Sequence, residues 1–407
     1  MENKETTTIL PQQPQRLSSI DAFRGFVMFL MLAQILKLSK VAKEFAADET
    51  YVGGIWRFLS FHQTHVEWTG CSLHDMIQPG FTFLVGVALP FSIAARIARG
   101  QTFNKMAVHA FMRVLILILL GVFLRSQSSS QTNWTFEDTL TQIGLGYGFV
   151  FLLGFSTLRA QIGAFFIILI GYWTAFAAYP LPGSDFDWTK TGITAEWEHN
   201  AIGFAAHWNK NTNLAWAFDN WFMNLFPRKA PYEFNSGGYQ TLNFIPTIAT
   251  MLLGLFAGNI LRSNQSNEKK IGIFLLLGVG CLTAGWLCGY LGICPVVKRI
   301  WTPAWMLYSG GICFLFLTGF FLLADVLRCK KLFFPLMVIG ANSIVAYCIA
   351  NTRIHGYFIA NLKIHLGNDY FKSYGECYEP LFLGAVVLLI TWLILFYMYR
   401  NKIHVRI

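Results

Sequence analysis

The segment from His65 to Pro79 concentrates more reactive side chains than any other part of the chain. Its fifteen residues hold two imidazoles, two carboxylates and an indole, and they join two long apolar stretches. Polar groups are costly beside a bilayer, so a dense titratable cluster at a helix junction indicates a functional site. An imidazole exchanges protons near neutral pH. His65 is therefore predicted to act as a general base or as a nucleophile that accepts an acyl group. The alternative is a helix-end histidine that makes only structural hydrogen bonds.

Asp75 directly precedes the apolar run that contains Pro79. A carboxylate at the start of a helix is stabilised by the free backbone amides and the helix dipole, which is a structural explanation. The functional alternative is that Asp75 orients a histidine and stabilises its charged form.

A second charged motif, Asp21-Ala-Phe-Arg24-Gly25, lies near the beginning of the first apolar stretch. Residues three apart share one helical face, so Asp21 and Arg24 form either a structural ion pair or part of a binding site. In the second case Arg24 donates to the phosphates of a cytosolic cofactor, and Gly25 permits close approach.

Further polar residues open or interrupt the later apolar runs, among them Lys298, Arg299, Trp301 and Asn342. Asn342 is costly inside an apolar run unless it is paired, and either a contact between helices or a ligand supplies the partner. The sequence contains no glycine-rich phosphate loop, nucleophile elbow or zinc-protease motif.

Composition indicates the elements that must position these residues. Of 407 residues, 55% are hydrophobic and only 13% charged, where an average soluble domain has about 25% charged residues. A spanning helix needs roughly 20 apolar residues. The chain is therefore predicted to be an all-α polytopic membrane protein with about ten spans. They are expected near residues 20–38, 76–98, 106–124, 139–156, 162–180, 242–261, 271–292, 304–326, 333–352 and 380–399.

The net charge of +10 reflects basic residues that cluster at helix ends. Cytoplasmic loops carry such an excess, so both termini are predicted to be cytoplasmic; contact with anionic lipid is a lesser contribution, and nucleic acid is not expected. The clusters are Arg96, Arg99 and Lys105; Arg262, Lys269 and Lys270; Arg328, Lys330 and Lys331; and Arg400, Lys402 and Arg406.

Two regions lie outside this helical unit. Residues 1–16 are polar and are predicted to be a disordered cytoplasmic tail, which leaves residues 17–407 as a single transmembrane domain. The long extracytoplasmic loop at about 181–241 is rich in tryptophans and carboxylates, which suits either an interfacial aromatic belt or carbohydrate contact. The sequence leaves open whether Cys294 and Cys377 pair across the far side. No zinc-type spacing occurs, so no metal is expected.

The order of these motifs resembles that of the heparan-α-glucosaminide N-acetyltransferase-like membrane acyltransferases. The most specific likeness lies in Arg16-Leu-Ser-Ser-Ile-Asp21-Ala-Phe-Arg24-Gly25, and in His65-Val-Glu-Trp68-Thr-Gly70 followed by Asp75-Met-Ile-Gln-Pro79. Supporting blocks lie at 83–87, 140–144, 243–258, 301–305 and 340–343.

This resemblance implies a bacterial-type member, in the inner membrane, that moves an acetyl group from cytosolic acetyl-CoA to an extracytoplasmic amino sugar or glycan. The family's catalytic histidine falls on His65 and its aspartate on Asp75. Gln34 occupies the region where members such as the lysosomal enzyme have an asparagine, and a catalytic role is carried over to it. The extra luminal domain of that enzyme is not expected here, and the 181–241 loop is expected to supply sugar contacts instead.

The remaining expected site residues follow from the same resemblance and from the motifs above. Cofactor binding is expected from Asp21, Arg24, Gly25 and Asn342, and substrate binding from Glu67, Trp68 and Trp301. The acceptor is a sugar or glycan, the surroundings are membrane lipid, and the resemblance implies a homodimer. The alternative functions are a multi-helix transporter of sugars or acyl carriers, and a structural subunit.

Overall fold

The computed structural model describes residues 17–405, and the predicted tail at 1–16 lies outside them. The described part contains no β-strand, only one isolated bridge between Thr69 and Val297. Its helices are α1 (Ser18–Leu32), α2 (Leu38–Glu44), α3 (Tyr51–Gln63), α4 (Ile77–Ala98), α5 (Phe103–Ser126), α6 (Thr139–Leu153), α7 (Leu158–Ala177), α8 (Leu214–Phe222), α9 (Phe244–Arg262), α10 (Asn267–Tyr290), α11 (Pro303–Phe320), α12 (Phe334–Ala341), α13 (Ser343–Ala350), α14 (Ile354–Leu366) and α15 (Glu379–Arg400).

The all-α, polytopic fold class is confirmed. In residues 17–405, eight helices are long and apolar enough to cross a membrane, and they coincide with eight of the ten predicted spans. One further predicted span, 139–156, corresponds to α6, which is apolar but has only 15 residues.

The tenth predicted span, 333–352, is divided into α12 and α13 at Asn342. The side chain of this residue explains the break. Its amide nitrogen donates to the carbonyl of Ile403 at 3.0 Å, and its amide oxygen accepts from the backbone of Val405 at 3.1 Å. A side chain that bonds backbone outside its own helix competes with helix continuity. Asn342 therefore binds the backbone of Ile403 and Val405 at the point where the helix is interrupted.

The helices differ in how deeply they are packed. In the most apolar stretch of Thr241–Arg262, 72% of residues are buried, against 17% in Asn267–Tyr290. Helices α4 and α9 pack closely, with glycines that face the partner backbone. A Cβ at Gly86 would lie 1.9 Å from the carbonyl oxygen of Met251, and one at Gly254 would lie 2.0 Å from that of Phe83. Small residues of this kind let membrane helices approach closely.

Following the chain through the bundle assigns each connection to one of two faces. The loop face carries the segments at 37–73, 127–138, 178–240, 291–302 and 351–378, together with α2, α3, α8 and α14. The opposite face carries the short connections at 99–102, 154–157, 263–266 and 327–333. The long connections contact each other on the loop face, and the His65 segment lies among them.

Candidate active site

The segment that carries His65 is held in place by the connection between α10 and α11. The backbone amide of Gly70 donates to the carbonyl of Val296 at 3.0 Å, at a φ of 120° that suits glycine. The guanidinium of Arg299 donates to the carbonyls of Val66 at 3.1 Å and Gly237 at 2.6 Å. Three separate connections are thereby tied together beside His65.

His65, Asp75 and Lys298 form a compact charged cluster. Nδ1 of His65 lies 2.7 Å from Oδ1 of Asp75, and Nζ of Lys298 lies 3.3 Å from the same oxygen and 3.1 Å from Nδ1. Oδ2 of Asp75 accepts from Ser72, from its hydroxyl at 2.9 Å and its backbone at 3.0 Å, and from the backbone of Val66 at 3.3 Å. Asp75 is fully buried, and this ring of donors stabilises its charge.

These contacts fix which nitrogen of His65 is available for chemistry. Nδ1 is occupied by the Asp75 carboxylate, so the ring carries its proton there and leaves the lone pair on Nε2. Burial, together with the positive charge of Lys298, lowers the pKa of His65 from its ordinary value, although the hydrogen bond to Asp75 opposes the shift. About a third of the side chain, 36%, remains exposed. His65 is thus a neutral, oriented and accessible base.

A second imidazole lies against the first. The ring centroids of His65 and His74 are 4.5 Å apart at an interplanar angle of 49°. His74 is 3% exposed, and its Nε2 contacts the side-chain amide nitrogen of Gln34 at the end of the first span. Gln34 is thereby connected to His65 through a second histidine.

A cavity of about 230 Å³ opens onto these groups from the loop face. His65, His74, Gln34 and Lys298 line one part of it, and Tyr239, from the 181–241 segment, lies beside them. The far part is lined by Arg125, Glu137, Asp138, Thr139, Tyr347 and Asn351. A reacting group in this cavity can contact His65.

A larger cavity, about 550 Å³, lies nearer the opposite face. Asp21 and Arg24 line it, 3.6 Å apart, and Arg113 of α5 contributes a second cation. Its walls come mainly from α1, α4, α5, α6 and the α12–α13 break, and α1, α4, α6 and α13 also line the loop-face cavity. The two cavities therefore follow the same set of helices from the two faces of the bundle.

Two of the residues predicted to bind the cofactor have other contacts. Gly25 packs on α12, where an added Cβ would lie 1.8 Å from the carbonyl oxygen of Leu336. Asn342 is buried and bonds the end of the chain, as described above, while its neighbours Ala341 and Ser343 line the large cavity.

The three residues predicted to bind substrate do not come together. Trp68 is buried and its indole N–H donates to the carbonyl of Trp208 at 3.2 Å. Trp301 is buried among the helices and donates to the hydroxyl of Thr250 at 3.1 Å. Glu67 is exposed at the surface, where one carboxylate oxygen lies 3.3 Å from Nε2 of His199. None of the three lines the cavity at His65.

All eight cysteines lie within the described residues and are free thiols, including Cys294 and Cys377. Burial raises the pKa of Cys71, which follows the His65 motif, to about 12. That thiol is therefore protonated at neutral pH and is a poor competitor for His65 as a nucleophile.

Two residues of the cluster were not predicted, Lys298 and His74. Lys298 is 4% exposed, and a lysine that follows an apolar run so closely is a signal for a buried partner. The sequence does not identify Asp75 as that partner, because the two are 223 positions apart. His74 adjoins Asp75 in the sequence. Its contact with the His65 ring depends on the path of the loop between them, which the sequence does not show.

The fold and the cluster together define a class: a multi-pass helical membrane protein with an accessible histidine, oriented by a buried aspartate, at one face. Comparison with known proteins is more specific. The chain is 22% identical to heparan-alpha-glucosaminide N-acetyltransferase from Homo sapiens over 434 aligned positions, which cover 97% of this chain and 60% of that protein. It is 22% identical to the Mus musculus protein of the same name, over 86% of this chain and 55% of that one.

This chain is therefore a distant relative of heparan-alpha-glucosaminide N-acetyltransferase, as the sequence motifs predicted. It spans about 60% of the length of the human protein. No family model matches the chain.

Proposed function

We propose that the protein is a membrane acyltransferase that moves an acetyl group from acetyl-CoA to an amino sugar or glycan on the far side of the bilayer. The observation that carries the proposal is that His65, held through Nδ1 by Asp75, lines an open cavity. The similarity to a protein named as an N-acetyltransferase supports the same chemistry.

The His65 cluster suits acyl transfer by either of two routes. In the first, Nε2 removes a proton from the acceptor amine or hydroxyl as the new bond to the acetyl carbon forms and the carbon–sulfur bond breaks. In the second, Nε2 itself attacks the thioester and carries the acetyl group before the acceptor takes it. In both routes the CoA thiolate leaves and His65 becomes positively charged at some stage. Asp75 stabilises that charge.

The two cavities suggest a path for the donor. Arg24 and Arg113 lie at the larger cavity, where guanidinium groups suit the phosphates of the nucleotide. Ten helical positions separate Arg24 from Gln34, a rise of about 15 Å. We expect the thioester arm to follow α1 and α4 over this distance and to present its carbonyl to His65.

His74 and Gln34 are the polar groups best placed to meet that carbonyl. With the amide nitrogen of Gln34 facing Nε2 of His74, the ring carries its proton on Nδ1. A neutral imidazole N–H stabilises a developing oxyanion without adding a charge that would lower the basicity of His65.

The alternative is a transporter, because cavities that approach one set of helices from both faces also suit solute passage. Proteoliposomes distinguish the two functions. Acetyl-CoA labelled in the acetyl group is supplied at the face that carries Arg24, with glucosamine at the loop face.

We expect labelled N-acetylglucosamine from the unmodified protein and a loss of transfer of roughly 10³-fold in His65→Ala. The matched control is His355→Ala, whose imidazole lies 3.3 Å from the Thr391 hydroxyl on α14 and α15, away from the cavity. Equal transfer by His65→Ala and His355→Ala would refute the proposal, and passage of unmodified glucosamine would indicate a transporter.

A further inference from the structure

A second, more polar cavity adjoins the one at His65. It has a volume of about 340 Å³, within the range of ligand sites. Arg125, Asp138, Tyr347 and Asn351 line both cavities, so the two cavities adjoin along these side chains. Hydroxyl, amide and charged side chains dominate the additional wall, namely Gln127, Ser128, Thr352 and Arg353. Such a lining suits a hydroxyl-rich ligand better than an apolar one.

The carboxylates of these two cavities are already engaged. Asp138 caps α6: its side chain accepts from the backbone of Leu140 at 2.9 Å and from the hydroxyl of Thr141 at 2.8 Å. Glu137 lies 4.0 Å from the guanidinium of Arg125. Each of these two acidic groups therefore already has a local partner: the α6 terminus for Asp138 and the Arg125 guanidinium for Glu137.

Arg353 differs from the other charged groups of the wall. Its guanidinium donates to the hydroxyl of Ser128 at 3.3 Å, and no carboxylate in residues 17–405 lies within ion-pair distance of it. The residue is exposed and sits at the start of α14, where it borders the cavity. A guanidinium in this state offers several N–H donors to an incoming anion.

We propose that Arg353 binds an acidic substituent of the acceptor, so that the substrate is an amino sugar bearing a phosphate or carboxylate. This inference rests on the proposed function. The sugar fills the polar cavity, its anion meets Arg353, and its amine or hydroxyl points into the adjoining cavity toward His65. Arg353 acts on binding of the acceptor and takes no part in the transfer of the acetyl group.

The test compares acceptors that differ in charge. Glucosamine, glucosamine 6-phosphate and muramic acid, a glucosamine that carries a lactate carboxylate, are supplied to the full chain in vesicles of neutral lipid. The variants are Arg353→Gln and, as a matched control, Lys363→Gln. Lys363 lies on the same helix, ion-paired to Glu379 at 2.9 Å and outside both cavities.

We expect a KM about 10-fold lower for at least one acidic sugar than for glucosamine, in line with a charge-assisted hydrogen bond. Arg353→Gln should remove this advantage and leave kcat and the KM for glucosamine unchanged, while Lys363→Gln should preserve it. The inference is overturned if neither acidic sugar is preferred, or if Arg353→Gln impairs all acceptors alike. The second result would show a structural role.

Binding of the three sugars is measured in parallel by titration calorimetry, which separates this inference from the proposed function. Binding of an acidic sugar that requires Arg353, without any acetyl transfer, would support the anion site and refute the acyltransferase. A repeat in vesicles of anionic lipid tests the other source of phosphate. Lipid headgroups that occupied Arg353 would abolish the preference there.

Discussion

The two cavities that approach α1, α4, α6 and α13 hold their polar groups in very different ways. At the loop face, His65, Asp75 and Lys298 contact one another within 3.3 Å, and Asp75 is completely enclosed. Near the opposite face, Arg24 and Asp21 are 3.6 Å apart on a wall that is largely apolar. Reacting groups need a fixed geometry, whereas recognition of a charged ligand tolerates a looser arrangement. We therefore expect substitutions at the first cavity to affect the rate of transfer and those at the second to affect binding.

The largest effect should come from Asp75→Asn. The amide cannot hold the His65 proton on Nδ1 in the same way, and it cannot stabilise a charged imidazole. We expect kcat to fall roughly 10²- to 10³-fold, with the affinity for acetyl-CoA unchanged. Steady-state rates together with equilibrium binding of CoA provide the measurement. A change confined to KM would contradict the contrast between the two cavities.

Removal of Lys298 should lower stability as well as activity. Lys298→Met leaves the buried Asp75 carboxylate without its cation, and we expect the free energy of unfolding to fall by about 3–5 kcal/mol. Thermal unfolding in detergent measures the effect. The double variant Asp75→Asn with Lys298→Met should regain most of the stability but none of the activity.

The half-buried pair of Lys363 and Glu379, which is far less enclosed than Asp75 and Lys298, is the control for this loss of stability. Lys363→Met should change the free energy of unfolding by less than about 1 kcal/mol. A loss as large as that of Lys298→Met would show that burial of the charged cluster is not the cause.

At the opposite cavity, Arg24→Gln and Arg113→Gln should raise the KM for acetyl-CoA by about 10-fold and leave kcat within a factor of two. Acetyl-pantetheine, which lacks the nucleotide phosphates, is the discriminating donor. Its KM should be the same for the variants and the unmodified protein. Equal losses with both donors would mean that the two arginines act on structure and not on phosphate binding.

The smallest expected effect is a shift of the pH profile. His65 must be neutral to act, and its pKa lies below the ordinary value, mainly because of burial and partly because of Lys298. Activity should therefore persist below pH about 6.5 and fall as the pH drops through the lowered pKa of His65. Loss of the Lys298 charge should move this acidic limb to higher pH, and Asp75→Asn should move residual activity to lower pH. Shifts in the opposite directions would contradict the assignment of His65 as the base.

Local spacing made part of this arrangement predictable. His65 and Asp75 are ten positions apart in one connection, so a motif could identify the pair. Eight of the spans were also predictable, because each is a long uninterrupted apolar run. The division at Asn342 was not, since it depends on contacts of that side chain with Ile403 and Val405.

Longer-range contacts account for the rest. Three contacts join different parts of the chain: Lys298 with Asp75, Gln34 with His74, and Arg353 with Ser128. Such contacts depend on how the helices pack, and helix packing cannot be derived from a single sequence. The surroundings of Trp68 and Trp301, which the sequence predicted to bind substrate, also depend on such contacts. In the fold both indoles are buried and donate hydrogen bonds, to the carbonyl of Trp208 and to the hydroxyl of Thr250.

The position of Lys298 has a consequence for biosynthesis. Lys298 lies in the connection between α10 and α11 and is synthesised 223 residues after Asp75. A nascent chain that has inserted its first six or seven helices thus already contains the imidazole and its carboxylate, but lacks the cation that completes the cluster. Such an unfinished chain should be inert toward thioesters.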